Sequence, residues 1–259
     1  MAVTTPCETK GSRRDFNPRG LALQVAILGG ALALYLTTRR LTMGNALDAA
    51  NNARDILHIE AFLGLDVEHE LQRLILDSPS VVTLMNWIYV WGHWPVLAAT
   101  AVWLFTRHRH AFNLFRNALI ISGLLGLVVF AVFPVMPPRL LGMGMVDTVA
   151  RWSSSYHILQ PPSLVNQYAA VPSFHVGWNV LVVFAVFRAI PHSDYRYLAV
   201  VGPVAMVSSV VLTGNHFVLD AVAGVALVAL AWKIADRIER RRCSTDSQDS
   251  DASVSEVSR

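Results

Sequence analysis

The sequence predicts an all-α, polytopic membrane protein with six transmembrane helices and amphipathic interfacial helices between the first and the second. Three observations lead there. Of 259 residues, 54% are hydrophobic and only 15% charged. The apolar residues are gathered into blocks. Six of these blocks reach or approach the roughly 17–25 residues that a helix needs to cross a hydrocarbon core. A soluble helical protein with a greasy core is the alternative, and six blocks of this length argue against it.

The blocks are Leu21–Thr37, Val81–Phe105, Ala118–Val135, Phe174–Ile190, Tyr197–Thr213 and His216–Ile234. The first follows Arg13, Arg14 and Arg19, as the core of a secretory signal would. It ends on Arg39–Arg40 with no small-residue cleavage site, so it reads as a retained helix. Between the first two blocks, "NALDAANNARDILHIEAFLGLDVEHELQRLILDS" places Ala50, Ile56, Ile59, Phe62 and Leu63 at helical spacing among acids. That pattern suits helices lying on the outer membrane face, with Asp48, Asp55, Glu60, Asp66, Glu68 and Glu70 as their solvated side. The third block is stopped by Pro137–Pro138, just ahead of Arg139. The long connection 136–170, with Arg151 and "LQPPSL", is placed to fold over the outer mouth, and loops of this length are often functional. Residues 1–18 form a polar tail and 19–239 the membrane domain. Residues 240–259, rich in Ser and Asp, have too little apolar surface to fold alone.

Positive residues gather on the cytoplasmic side of membrane proteins. Lys10, Arg13, Arg14 and Arg19 precede the first block, Arg107, Arg109 and Arg116 join the second to the third, Arg188 and Arg196 flank the fourth-to-fifth link, and Lys233, Arg237 and Arg240–Arg242 close the sixth. All fall on one face, which puts both termini in the cytoplasm. The net charge of +3 belongs to that rim and calls for no nucleic acid. Cys7 and Cys243, one in each tail, read as two thiols in a reducing compartment. No repeat or Gly-rich phosphate loop is present.

Against this apolar background, three polar clusters fall at block ends on the expected outer face: "FPVMPPRL" with Arg139; "VPSFHVGW" with Ser173 and His175; and "TGNHFVLDAVAG" with Asn215, His216 and Asp220. His216 and Asp220 stand four apart, so on a helix they share a face and the carboxylate can accept from one ring nitrogen. The other nitrogen then keeps its lone pair, as a nucleophile requires. A carboxylate in an apolar helix costs about 2.5–3.5 kcal/mol on insertion scales, so Asp220 calls for a function or a partner. Arg139 offers a planar fork for phosphate oxygens, Ser173 a hydroxyl at a helix start, and His175 a proton for a departing alkoxide. Bland readings stand beside these. Ser173 suits an ordinary cap, and His93, inside "YVWGHWPV", suits packing among Tyr89, Trp91 and Trp94 as well as function. His175, His216 and Asp220 also compose a two-His-one-carboxylate metal set, and a transporter or lipid-holding bundle would use such residues to line a path.

"PSFH" followed some forty residues later by "GNHFVLD" resembles the type 2 phosphatidic acid phosphatase superfamily, whose signature is Pro-Ser-Gly-His and then His-x-x-x-Asp at the head of a later helix. "PPRLL", "VPSFHVGW" and "TGNHFVLDAVAG" are similar, more narrowly, to its inositol phosphorylceramide synthase-like branch. The resemblance, from about Arg54 to Gly224, implies a six-helix fold, a phosphohistidine intermediate, and no metal or other cofactor. It implies catalytic roles for His216 as nucleophile, Asp220 as its orienting carboxylate and His175 as acid–base, with Arg139 and Ser173 as phosphate ligands; Asn215, next to His216, is a candidate phosphate-binding residue beside them. His93 and Tyr89 are further candidates. The implied partners are the membrane and a phospholipid or polyprenyl-phosphate substrate. Val132 and Val210 stand where the superfamily pattern has a lysine and an arginine, and Phe174 where it has glycine. Fewer cations suit a phosphodiester better than a dianionic monoester, which tilts the expectation toward phospho-alcohol transfer, with hydrolysis as the alternative. Phe174 is then the residue expected to narrow lipid entry.

Overall fold

The computed structural model describes residues 18–41, 45–152 and 166–257. Cys7, Lys10, Arg13, Arg14 and "LQPPSL" lie outside the described residues, as do the side chains of Arg19, Arg39, Arg40 and Cys243. The described chain is helical, with no strand beyond a single parallel bridge between Val135 and Ala169.

Its helices are α1 (Pro18–Leu41), α2 (Ala46–Leu63), α3 (Glu68–Leu76), α4 (Pro79–Trp91), α5 (Trp94–Arg107), α6 (Arg109–Val132), the short α7 (Thr148–Trp152), α8 (Phe174–Ala189), α9 (Val201–Leu212) and α10 (Val218–Val257). Single 3-10 turns cover Pro138–Leu140 and Asp194–Val200. Three segments are long and apolar enough to cross a membrane: Arg109–Val132, Asp194–Leu212 and Val218–Arg242. A fourth is reached if α4 and α5, bent by 45°, count as one span. Large apolar side chains such as Val102, Val128, Val204, Val222 and Leu230 cover the outside of these helices. So much exposed apolar surface suits lipid contact.

Several boundaries differ from the sequence expectation for local reasons. Val81–Phe105 is not one helix: it breaks at Gly92–His93, and Pro95, which has no N–H to give the preceding turn, opens α5. His93 therefore sits at a helix junction and not in mid-helix. The fifth block begins as a 3-10 turn, and the sixth begins at Val218, leaving His216 just ahead of the helix. The backbone of α10 continues to Val257, through the tail whose composition predicts no independent fold.

Packing centres on α6, α8 and α10. Phe112, Phe115, Phe130, Leu181, Val228 and Ala235 are buried together among them. A second cluster joins α4, α8, α9 and α10 through Tyr89, Val176, Met206, Val210 and Ala221. A third seats Ala53 and Ile56 of α2 on Val135, Ala170 and Phe217. The buried stripe of α2 is Ala49, Ala53, Ile56 and Glu60, while Ile59, Phe62 and Leu63 are exposed. That stripe corrects the expectation of a wholly solvated acidic side: Glu60 is 0% exposed and Glu68, on the buried side of α3 with Gln72 and Ile75, is 3% exposed. Both acids turn inward because backbone donors wait there.

Candidate active site

Two close approaches assemble the site. Gly177 of α8 faces Gly224 of α10, and a β-carbon on Gly224 would stand 2.2 Å from Ser173 O. Only bare backbone fits. The two helix heads therefore meet, and Ser173 N–H donates to Asp220 O at 2.9 Å. The second approach is the turn at Gly214, whose φ of 68° favours glycine. Its carbonyl accepts from Arg139 N–H at 3.0 Å, drawing the loop after α6 to within two residues of His216.

His216 and Asp220 form the expected pair. His216 Nδ1 lies 3.2 Å from Asp220 Oδ2, which also accepts from Phe217 N–H at 2.9 Å. The histidine is 6% exposed and the carboxylate 0%. Asp220 thus closes the head of α10 as the acidic member of a capping box does, while it fixes the imidazole. The arrangement leaves His216 Nε2 as the nitrogen turned from the carboxylate.

His175 comes to this pair from α8, its ring centroid 5.8 Å from that of His216. Its other side is packed by aromatic rings: Tyr89 is stacked at 4.4 Å and His93 tilted at 4.5 Å. The row continues from His93 to Trp178 at 5.5 Å and from Trp178 to Phe174 at 4.6 Å. Trp178 Nε1 donates to Ser122 Oγ at 3.1 Å, locking the row to α6. Stacked rings on one side limit how far His175 can swing. Phe174 belongs to this interior, against Phe130 and Trp178, and is 6% exposed. It packs against the histidine row from within.

The Arg139 side is built differently. Arg139 Nε donates to Asp147 Oδ2 at 2.8 Å, and Asp147 Oδ1 in turn accepts from Ala150 N–H at 2.9 Å, at the start of α7. Among the described residues, neither terminal nitrogen of Arg139 has a hydrogen-bond partner, and no hydrogen bond joins its guanidinium to either histidine. Ser173, 0% exposed, caps α8 through a 3.5 Å bond from Val176 N–H. Its hydroxyl proton is not used by that bond, so the cap and a donor role are compatible. Asn215, 2% exposed, has its amide orientation fixed by a relay. Thr213 Oγ1 gives its proton to Ser209 O at 2.7 Å and so accepts from Asn215 Nδ2, also at 2.7 Å. Asn215 Oδ1 is left buried without a partner among the described residues.

Sequence reasoning missed the residues that hold this frame. Gln72 of α3 accepts from Val146 N–H at 2.7 Å and donates to Val146 O at 2.9 Å, clamping the loop that carries Arg139 and Asp147. Asn86 and Thr148 form a buried pair joining α4 to α7. Asn52 Nδ2 donates to Pro134 O at 2.8 Å. Glu68 and Glu60 accept from Val218 and Leu219 N–H at 2.9 and 2.7 Å. The spacing Ala49–Ala53–Ile56–Glu60 carried a signal, since it puts Glu60 on the stripe of small and apolar residues. Nothing comparable marks Asp147. Val210 is fully buried, and its carbonyl accepts from both Asn215 and His216 N–H, while Val132 is 74% exposed on the outside of α6. Among the described residues no three His, Cys, Asp or Glu side chains gather as a metal would need.

The described residues form a helical bundle with segments long and apolar enough to cross a membrane, in which Asp220 holds His216, the His175 ring stands 5.8 Å from it, and the loop of Arg139 is tied to the turn at Gly214. The chain belongs to the PAP2 superfamily, whose family model matches residues 54–234. Membership supports activity of the phosphatase or phosphotransferase type. No curated protein and no solved structure matches the chain.

Proposed function

We propose that this protein is a membrane enzyme that moves a phosphoryl or phospho-alcohol group from a lipid-linked phosphate, through a phosphohistidine, to an alcohol or to water. The observation that carries the reading is the buried His216–Asp220 bond with the His175 ring 5.8 Å away. His216 Nε2 forms a bond to phosphorus while the bond from phosphorus to the leaving alkoxide breaks. His175 gives that oxygen a proton. An incoming hydroxyl, from water or an alcohol, then attacks phosphorus and passes its proton to His175, and the N–P bond returns its electron pair to His216. Asp220 holds the Nδ1 proton throughout and balances the positive charge that the ring gains on attack.

Arg139 is the phosphate ligand, oriented by Asp147 so that its terminal nitrogens remain for oxygens. Ser173 and Asn215 Nδ2 complete the donor set. The valines at 210 and 132 leave the site one arginine fork where the superfamily pattern has additional cations. This supports a donor with one charge on phosphorus, as in the inositol phosphorylceramide synthase-like branch, and transfer over monoester hydrolysis. The membrane arrangement that suits it has six spans, with α1 and the short α8 as further crossings and α4–α5 as a broken one. α2 and α3 lie at the outer interface of the cell membrane, both termini are cytoplasmic, and the site opens outward. Purified full-length protein given a lipid phosphate labelled at phosphorus, with and without inositol, sugar or lipid alcohols, tests this. Label passing to an added alcohol supports transfer; free phosphate as the sole product contradicts it, and turnover surviving His216→Ala contradicts the mechanism.

A further inference from the structure

At the head of α10, three successive backbone amides are each taken by a different carboxylate. Phe217 N–H donates to Asp220 Oδ2 at 2.9 Å, Val218 N–H to Glu68 Oε1 at 2.9 Å, and Leu219 N–H to Glu60 Oε1 at 2.7 Å. These are donors that a helix start leaves without intrahelical acceptors. The usual remedy is a Ser, Thr, Asp or Asn side chain at the cap position. Here that position is Phe217, which has no acceptor to offer and is itself fully buried against Ala53 and Ile56. The acceptors come instead from residues 150 and 159 positions earlier in the chain.

Two buried carboxylates are costly to desolvate and need strong partners in place. A helix N-terminus supplies them, because its amides and its dipole both favour negative charge. The backbone of His216 is held on its other flank as well, by its own N–H to Val210 O at 3.2 Å. The residue that aims the imidazole is thus fixed from behind by α9 and from ahead by α2 and α3.

We infer that Glu60 and Glu68 are positioning residues for His216: by holding the first amides of α10 they fix the turn that keeps its ring on Asp220 and toward His175. This rests on the reading of His216 as the nucleophile. The charge state fits the same geometry. Burial above all, then the neighbouring Glu68 and Asp220 carboxylates, push Glu60 up to about 8, against the opposing bond from Leu219. Glu60 accepts from Leu219 N–H through Oε1, and its Oε2 is buried with no hydrogen-bond partner among the described residues. Glutamine keeps an acceptor at the same reach, so Glu60→Gln preserves the bond to Leu219.

The test uses the full-length protein in detergent micelles with two probes, orthovanadate and inorganic phosphate, titrated calorimetrically. Vanadate becomes five-coordinate by accepting an axial nitrogen, so its affinity reports where His216 Nε2 stands. Phosphate stays four-coordinate and reports only the anion ligands. Glu60→Ala and Glu68→Ala should weaken vanadate about 10–100-fold while phosphate changes less than about threefold, since misplacing a reacting atom by an ångström costs rates and affinities of that order. Glu60→Gln and Glu68→Gln should bind both probes like the parent. If an alanine chain aggregates, Glu60→Asp and Glu68→Asp withdraw the acceptor by one methylene at constant charge and should behave as alanine is expected to. Equal losses for the two probes, no loss for either, or Gln variants no better than Ala would overturn the inference alone. Vanadate binding unchanged in His216→Ala would remove the reading of the nucleophile and the inference with it.

Discussion

The two sides of the site are held in place by different chemistry. On the His216 side, Asp220, Glu68 and Glu60 each accept a backbone amide at the head of α10, and all three are 3% exposed or less. On the other side, Arg139 is set by a single carboxylate, Asp147, and by neutral amides: its own N–H to Gly214 O and the Gln72 clamp on Val146. The Arg139 side chain is 11% exposed and that of Asp147 28%. In the proposed mechanism a nucleophile gains from immobility, whereas a ligand for a lipid head group must admit a substrate from outside. Three buried carboxyl groups thus fix the head of α10, whereas a single, more exposed arginine stands on the other side.

Removing the nucleophile should break the contrast most severely. His216→Ala should lower turnover of labelled lipid phosphate by at least about a thousandfold, and Asp220→Asn by about 10²–10⁴-fold through loss of the ring's orientation, both read as kcat in a single-turnover assay. On the other side, Arg139→Lys keeps the charge and loses the fork. It should lower kcat/KM about 10–100-fold, with the larger part in KM. An Arg139→Lys enzyme with parental kcat/KM would show that the fork does not hold phosphate.

A smaller effect is expected at the turn where the two sides join. Gly214→Ala places a side chain at φ 68° with Met145, Gln72 and Arg139 at 3.2–3.4 Å. It should destabilise by about 1–2 kcal/mol, measured by thermal unfolding in detergent. The smallest signal is a pH dependence on the carboxylate side. Folding moves Glu60 from 4.5 to about 8, so between those values the folded chain keeps a proton that the unfolded chain has lost. Stability from this group is therefore present in full below about 4.5 and falls as pH rises through about 8. Glu60→Gln should flatten that decline in melting temperature; an unchanged decline would show that another group causes it.

How much of this was legible depended on the distance between partners. The apolar blocks carried the all-helical class, and i,i+4 spacing carried the His216–Asp220 bond, because both are local. Helix breaks were partly legible: Gly92 and Pro95 stood in the second block, but apolarity alone ran straight across them. Glu60 and Glu68 read as solvated because their acceptors' purpose lay on α10, more than 140 residues away. Their buried register was nevertheless present in the spacing of Ala49, Ala53, Ile56 and Glu60. The row of rings behind His175 draws on α4, the α4–α5 junction and α8; "YVWGHWPV" marked Tyr89 and His93, but their stacking on His175 and Trp178 depends on packing between distant segments.

The residue that takes up the phosphoryl group decides the proposed mechanism. Acid-labile, alkali-stable label trapped by rapid quench from a ³²P-labelled lipid phosphate, mapped by mass spectrometry, should fall on His216 Nε2 and be absent from His216→Ala. Label on another residue, or turnover at the parental rate with no phosphorylated residue even in a His175→Ala chain that should slow its release, would contradict it.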